Sequence, residues 1–392
     1  MANWAEVDAM TLPNASRPED QLSRVSTQPT GQELVLWAGL LLTICVLFAH
    51  FAGGLWVTVE RHGDNASYAM ISRAIRTRDF GQVTQVKHFW GLSYTTAGVA
   101  ALVGISEPKA IFVVSLTASL LATVLVWRLW GSWVALFFVA GNWTWLEFSA
   151  YGGSESLFAA LVFAALLAAR HERWRLASVL AACGTVVRPL GIFAVIAILI
   201  VLWRRRARRA TAITGILVLL IFAIYSLPLL LHFHDPLANF HGYQRQDWFD
   251  QWPITVPLRA VVANFINGRN VGNFFIKYAK SLYLLLHIVA VLGILVSQPI
   301  RARLLQNSLE ATFALSYSAF ILTYNSPIWA LSIYPRLLIP IFPILLWTYE
   351  RWLPKRRWTI TVLGLISVLM GAGAGIGLQN SLQLLRVVKG KL

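Results

Sequence analysis

The chain has few cysteines, and it lacks the motifs that mark metal and nucleotide sites. Its two cysteines, Cys45 and Cys183, both fall inside apolar segments, which excludes a disulfide framework and a cysteine metal site. No clustered His or Cys spacing suits a structural zinc, and neither a Walker motif nor a glycine fingerprint after a strand is present. The sequence therefore indicates no divalent metal or other cofactor, and it disfavours a nucleotide sugar as a direct donor.

Charged residues are also scarce. They make up 13% of the 392 residues, whereas 57% are hydrophobic, and the mean hydropathy is +0.62. A soluble domain of this size does not need so much apolar sequence to form its core, so the composition predicts an all-α polytopic membrane protein. The 33 Lys and Arg against 17 Asp and Glu give a net charge of +16, but the basic residues stand in short clusters between apolar segments. Such clusters are topology signals that favour anionic lipid headgroups, and they do not form a nucleic-acid surface.

Two arginine-rich clusters, at 170–175 and 204–209, predict cytoplasmic turns. Counting apolar segments from these turns gives about eleven transmembrane helices. Residues 1–33 are polar and predict a disordered cytosolic tail, so residues 34–392 form a single transmembrane domain. The count leaves external loops at 57–109, 232–275 and 326–336.

The same count places each apolar segment. Segment 176–203 lies between the two cytoplasmic clusters, so it must leave the cytoplasmic face and return, with its turn at Arg188-Pro189. Segment 90–105 does not cross and is predicted as an interfacial helix. The other predicted spans are 34–56, 110–127, 133–148, 154–169, 212–231, 276–296, 309–324, 337–352 and 359–377.

An aspartate lies in the first external loop, at the start of the stretch 63–75. Tyr68, Ile71 and Ile75 follow Asp64 at positions i+4, i+7 and i+11, so they share one face of a short helix along the bilayer. Two interpretations stay open. Asp64 is a catalytic carboxylate that meets lipid-linked substrates and water together, or it only caps the helix that follows.

Three ionisable residues interrupt apolar sequence on the same external side, namely Glu155, Arg188 and Arg336. Charges at membrane depth are costly, so they are functional candidates. The alternative is an internal salt bridge, such as Glu155–Arg188, that only locks helices together. His88 lies on this side too, as a candidate for phosphate contact.

The second external loop interleaves aromatic, acidic and amide side chains at 234–252. Sugar and headgroup sites combine ring stacking with hydrogen bonds to hydroxyls in this way, whereas an aromatic belt explains only the rings. The predicted sugar or acceptor contacts are Glu155, Tyr68, Asp235, His241, Gln244 and Trp248.

Five short segments in chain order carry a family resemblance. They are Gly63-Asp64-Asn65-Ala66-Ser67-Tyr68, Ser154-Glu155-Ser156-Leu157-Phe158, Val187-Arg188-Pro189-Leu190-Gly191, the segment 235–244 beginning Asp235-Pro236-Leu237-Ala238, and the segment 335–343 beginning Pro335-Arg336. In these segments the chain resembles the polyprenyl-phosphate-sugar-dependent glycosyltransferases of the GT-C superfamily, and within it the PIG-V-like (GPI mannosyltransferase 2-like) mannosyltransferases. It departs from the family pattern at Gly63, where a Trp is usual, at Val187, where a Thr is usual, and at Leu337, where the family has Tyr.

The resemblance implies inverting transfer of a sugar, mannose or another hexose or pentose, from a polyprenyl phosphate to an acceptor hydroxyl. It implies Asp64 as the general base, with Glu60 as the competing carboxylate. One carboxylate suffices, because the polyprenyl phosphate departs without a general acid. Arg188, Arg336 and His88 would neutralise the charge on the phosphate. The expected location is a bacterial inner membrane, with the site facing outside and a glycan, lipid or protein as acceptor.

Two other classes of protein also combine many spans with buried charge. A transporter or flippase for lipid-linked sugars usually shows inverted repeats and midplane acids on broken helices, whereas here the polar groups gather at one face and no internal repeat is present. A ligase or polymerase of surface polysaccharide also acts on substrates linked to a lipid phosphate, but it has another fold.

Overall fold

A computed structural model describes residues 30–51, 54–81, 83, 86–244, 258, 274–323 and 334–371. Within these ranges the chain forms helices and no strand, as the composition predicts. The first helices are α1 (Gly31–Phe51), α2 (Leu55–Arg61), α3 (Asn65–Thr77), α4 (Gly91–Val103), α5 (Glu107–Trp130), α6 (Ser132–Gly141) and α7 (Trp143–Tyr151). Next come α8 (Ser154–Arg170), α9 (Trp174–Val187), a 3-10 turn (Pro189–Gly191), α10 (Ile192–Arg204), α11 (Arg208–Phe233) and α12 (Ala238–Gln244). The last are α13 (Phe274–Val296), α14 (Gln298–Leu305), α15 (Ser308–Thr323), α16 (Tyr334–Leu338), α17 (Phe342–Thr348), a 3-10 turn (Glu350–Trp352) and α18 (Arg357–Gly371).

Two described helices, α5 and α11, are long and apolar enough to cross a membrane. Two bent pairs pass the same test together: α7 with α8, which meet at 110°, and Ser281–Val296 with α14, which meet at 95°. Counting each bent pair as one span raises the number to four within the described residues. The eleven spans, the cytosolic tail at 1–33 and the single domain at 34–392 stay predictions, and residues 1–29 lie outside the described residues.

Several predicted spans coincide with helices. Segments 110–127, 212–231, 276–296 and 309–324 fall within or nearly within α5, α11, α13 and α15. The predicted break at Arg188-Pro189 is observed, because α9 ends at Val187 and a 3-10 turn precedes α10. Proline disfavours a helical conformation at the residue before it, and Arg188 is accordingly extended, with φ −146° and ψ 132°.

Three segments predicted as continuous are instead broken. Segment 34–56 divides into α1 and α2 around Gly54, whose φ is +145°. Segment 133–148 divides at Asn142, whose Oδ1 accepts the Trp145 amide at 3.0 Å and caps α7. Segment 337–352 divides into α16 and α17, and a proline stands in the first turn of α17.

The described helices pack around one large apolar core. α8 packs against α5 and α9, and α9 packs in turn against α11. The amphipathic helix predicted after Asp64 is observed as α3, with Tyr68 and Ile71 buried and Ile75 half-buried on the predicted face. The predicted interfacial segment 90–105 is observed as α4, and α3 packs against both α4 and α5. This packing sets the start of α3 beside the start of α8.

Candidate active site

Asp64 immediately precedes α3, and the residue after it is firmly anchored. Asn65 is buried, and its Nδ2 donates to the carbonyls of Val59 at 2.7 Å and Tyr151 at 3.0 Å. Gly152 has a φ of +91° and passes so close that a Cβ on it would lie 2.8 Å from the Asn65 Nδ2. Glycine suits both the backbone conformation and this close approach. The loop between α7 and α8 therefore fixes where Asp64 stands.

The residue two positions before Asp64 is held by the same loop. The ring of His62 is buried, with Nδ1 at 3.0 Å from the Gly152 carbonyl and Nε2 at 2.9 Å from a Glu147 carboxylate oxygen. The ring also lies 4.6 Å from that of Phe148. Asp64 is thus positioned from both sides, through His62 and Asn65.

The carboxylate of Asp64 makes no capping hydrogen bond to α3, although it occupies the N-cap position. Its Oδ2 lies instead 3.5 Å from Arg336 Nη2. The side chain is 39% exposed. The geometry therefore favours the catalytic interpretation of Asp64 over the capping interpretation, since this carboxylate faces a cation and stays accessible.

A single buried carboxylate joins the two arginines. Oε1 of Glu155 accepts hydrogen bonds from Arg188 Nη1 and from Arg336 Nε, and the Glu155 side chain is only 1% exposed. The Glu155–Arg188 salt bridge considered from the sequence is therefore present, and Arg336 joins it. Removing one partner of a buried ion pair typically costs ~3–5 kcal/mol, so these three side chains hold one another in place.

Three further side chains, Tyr68, His88 and Ser154, complete the arrangement. Ser154 Oγ accepts from Tyr68 Oη at 3.3 Å and from Arg188 Nη1 at 3.4 Å. The Tyr68 ring lies 5.5 Å from the His88 ring. We call the six residues Asp64, Tyr68, His88, Glu155, Arg188 and Arg336 the Asp64 cluster. All six were predicted from the sequence as site residues, and the fold brings them together.

Three residues at the cluster were not predicted from the sequence as site residues. The Arg336 guanidinium lies 4.5 Å from the centre of the Phe148 ring, a cation–π contact. Ser154 links Tyr68 to Arg188, as described above. Tyr317 donates to the Leu337 carbonyl at 2.9 Å, next to Arg336 in the chain. Each contact joins segments far apart in sequence, and a single sequence does not disclose such pairings.

The charges of the cluster tune its two titratable groups outside the spans. Burial raises the pKa of Asp64, but the positive charges around it, chiefly that of Arg336 and also those of Arg188 and Lys87, outweigh this effect and leave that pKa below its usual value. Burial lowers the pKa of His88, and the nearby Asp64 carboxylate does not offset this. Asp64 is therefore ionised at neutral pH. His88 is neutral there, so its predicted contact with the phosphate is that of a hydrogen-bonding group.

These shifts predict the acid side of a pH–activity profile. If Asp64 is the general base that the family resemblance implies, its lowered pKa keeps it deprotonated as the pH falls, so loss of activity between about pH 7 and pH 5 should not arise from Asp64. The charge of Arg336 is the largest of those that counteract the effect of burial on the pKa of Asp64. Replacing Arg336 by Gln should therefore raise this pKa and move the acid limb of kcat/KM to higher pH. A normalised profile with the same acid limb in wild type and Arg336→Gln would contradict this coupling.

The loop that carries His88 is held by a buried asparagine of α12. Asn239 Nδ2 donates to the carbonyls of His88, at 2.6 Å, and Val86, while its Oδ1 accepts from Tyr225 Oη at 2.7 Å. The Tyr225 hydroxyl in turn accepts the Trp90 amide at 3.3 Å. Asn239 lies within the motif segment 235–244, but its role as a clamp was not predicted.

Asn239→Ala should leave two buried carbonyls without a donor and displace His88. We expect a lower melting temperature and lower turnover, because an unsatisfied buried polar group costs about 1–3 kcal/mol. Tyr225→Phe keeps the ring and removes one hydroxyl, so it should cause a smaller loss of both. Thermal melts and turnover assays check this, and wild-type values for Asn239→Ala would exclude the clamp.

The remaining predicted sugar or acceptor residues lie in or just before α12, or outside the described chain. Asp235 accepts the Leu237 amide at 2.9 Å through Oδ1 and pairs through Oδ2 with His241 Nδ1 at 2.7 Å. Gln244 is the last residue of α12, and Trp248 falls outside the described residues. Glu60 is exposed on α2. Among the residues the structure describes, no group of three or more His, Cys, Asp or Glu is placed to hold a metal ion.

No protein-family model matches the chain, and no curated protein matches it. Among solved structures, the chain is similar to crystal structures of ArnT from Cupriavidus metallidurans. The structure bound to undecaprenyl phosphate has a TM-score of 0.49 and 15% identity, and the match covers 82% of this chain and 62% of that one. The apo structure has a TM-score of 0.45 and 16% identity, with 81% and 62% covered. The chain thus spans less than two thirds of either solved chain, and a likeness at this level assigns neither a family nor an activity.

Proposed function

We propose that the protein is an integral membrane glycosyltransferase of the GT-C type, which transfers a sugar from a polyprenyl-phosphate donor to an acceptor hydroxyl with inversion. The observation that carries the proposal is the meeting of Asp64, Arg188 and Arg336 around Glu155. Guanidinium groups suit phosphate, and an accessible carboxylate suits proton abstraction. The reaction requires this combination on one surface.

Asp64 is the general base of the proposed reaction. The acceptor hydroxyl gives its proton to the Asp64 carboxylate while its oxygen bonds to the anomeric carbon of the sugar. The bond from that carbon to the phosphate oxygen breaks, and the polyprenyl phosphate leaves with the electron pair, so no general acid is needed. The 39% exposure of Asp64 leaves room for an acceptor to approach.

Arg188 and Arg336 bind the donor phosphate in this proposal. Each arginine donates one N–H to Glu155, Arg188 through Nη1 and Arg336 through Nε. Within the described part of the chain, Arg188 Nε and Nη2 donate no hydrogen bond. Glu155 holds both guanidiniums at one place and offsets one of their two positive charges before the substrate arrives. The remaining N–H groups then stabilise the charge that develops on the leaving phosphate.

The finer assignments rest on the sequence. We propose mannose, or another hexose or pentose, as the transferred sugar, and a glycan, lipid or protein as the acceptor. The proposed sugar or acceptor contacts are Tyr68 and Glu155 in the cluster and Asp235, His241, Gln244 and Trp248 in the sequence stretch 234–252. The proposed location is a bacterial inner membrane with the cluster at its external face.

A reconstitution assay tests the proposal. Purified protein in vesicles would be given a panel of polyprenyl-phosphate sugars with simple glycoside acceptors, and released polyprenyl phosphate would be measured. We expect release with one donor from wild type and none from Asp64→Asn. Movement of an intact donor across the bilayer, without release, would favour the lipid-linked sugar transporter instead.

A further inference from the structure

The far end of the α8–α9 hairpin carries a basic cleft. α8 runs from Ser154, in contact with the Asp64 cluster, to Arg170, and its 17 residues span roughly 25 Å. This length approaches the ~30 Å of a bilayer core, and α8 forms one candidate span with α7, so the two ends of α8 are expected near opposite membrane faces. A cavity of about 970 Å³ lies at the far end, between the α8–α9 turn and the α10–α11 turn. Its lining includes Arg173, Arg175, Arg206, Arg208, Arg209 and Trp174.

The two turns have the same local structure. Glu172 and Arg206 both take the left-handed conformation, with φ of 57° and 58°. The helices that follow, α9 and α11, begin side by side, and a buried hydrogen bond of 2.8 Å between Ser178 Oγ and Thr214 Oγ1 ties them together. Neither helix start has a side-chain cap. The cleft is therefore held in place by the packing of α9 against α11. The positive N-terminal ends of these two helices and five arginines meet there.

The cleft lining carries excess positive charge, because it holds five arginines and one acidic side chain, Glu172. Glu172 pairs with Arg205 at 2.7 Å, and Arg205 lies 5.3 Å from the centre of the Trp174 ring. Among the described residues, no ion pair involves any of the five lining arginines. Leu176 lines the cleft and is 47% exposed, and Trp203, which stands at the end of α10 just before the second turn, is 74% exposed. A basic cleft flanked by exposed apolar side chains matches a ligand with an anionic head and an acyl tail.

We propose that this cleft binds the phosphate headgroup of an anionic phospholipid in the membrane leaflet opposite the Asp64 cluster. Topology alone explains arginines in cytoplasmic turns, but it does not require two turns to converge on one cavity. The arginines supply hydrogen-bond donors to the phosphate oxygens. Trp203 and Leu176 contact the start of the acyl chains. The site is separate from the one proposed for sugar transfer.

Native mass spectrometry of the full-length protein in detergent tests the proposal. The probes are dioleoylphosphatidylglycerol, dioleoylphosphatidylcholine and inorganic phosphate. Wild type should prefer phosphatidylglycerol, and Arg206→Gln/Arg208→Gln should weaken its binding on the order of tenfold or more, since two of five lining charges are lost. The control Arg351→Gln/Arg356→Gln removes equal charge from exposed arginines outside the cleft and should bind as wild type does.

Three results would overturn the proposal. An equal loss in the control variant would show general surface attraction, and unchanged binding in the cleft variant would exclude the site. Displacement of the lipid by inorganic phosphate at the same concentration would identify free phosphate as the ligand. Where the cleft variant fails to fold, Arg173→Gln/Arg175→Gln removes two charges from the other turn. It should weaken binding of phosphatidylglycerol by the same amount, and unchanged binding would exclude the site.

Discussion

Asp64→Asn is expected to lower sugar transfer by ~10²–10⁴-fold while donor binding and folding persist. Asparagine keeps the size of the side chain but does not accept the acceptor's proton. Because Asp64 makes no capping hydrogen bond, Asp64→Ala should lose stability only through the ion pair with Arg336, and Asp64→Asn, which breaks the same pair, should lose about as much. Single-turnover rates, donor affinity and thermal melts on the same preparations separate these effects.

The matched control is Glu60→Gln, on the helix before Asp64. Glu60 is exposed, whereas Asp64 contacts Arg336 and lies in the cluster, so Glu60→Gln should retain nearly all turnover. The capping interpretation makes the opposite prediction. Under it, Asp64→Asn keeps normal turnover and Asp64→Ala loses about 1 kcal/mol of stability, the usual worth of an N-cap.

Arg188→Lys and Arg336→Lys should each weaken donor binding by about ten- to a hundredfold. A charge-assisted hydrogen bond is worth about 1.5–3 kcal/mol, and lysine lacks the planar fork that lets one side chain hold Glu155 and a phosphate together. For Arg336 the fork also reaches Asp64. Lysine keeps the positive charge, so the fold should survive, and titration of undecaprenyl phosphate onto each variant measures the loss.

Arg303→Lys is a matched control for these two variants. Arg303 is also partly buried, and its guanidinium donates to two acceptors at once, through Nη2 to Glu350 at 2.5 Å and through Nε to the Trp347 carbonyl at 2.9 Å. It lies outside the cluster. It should lose stability without loss of donor affinity. If Arg188→Lys and Arg336→Lys also kept full donor affinity, both arginines would be structural partners of Glu155 and the phosphate-binding role would be wrong.

Local signals in the sequence predicted the elements that carry the cluster. Spacing alone defined the buried face of α3 behind Asp64, because helical periodicity is a local property. The break at Arg188 followed from the adjacent proline and from the charge of the flanking turns. Both therefore needed no knowledge of tertiary contacts.

The sequence did not predict how the cluster is assembled. Glu155 and Arg336 are 181 positions apart, and their sharing of one oxygen depends on how α8 packs beside the chain at α16. The clamp at Asn239 depends likewise on the approach of α12 to the loop before α4. Hydropathy windows also missed the interruption at Asn142, since they count apolar residues and do not register a capping side chain.

The most direct measurement is a cryo-electron microscopy map of the full-length protein in nanodiscs with undecaprenyl phosphate. We expect the lipid phosphate to lie within hydrogen-bonding distance of both Arg188 and Arg336, on the side that Asp64 faces. A phosphate bound elsewhere, with Glu155 and the two arginines unchanged, would contradict the proposed function.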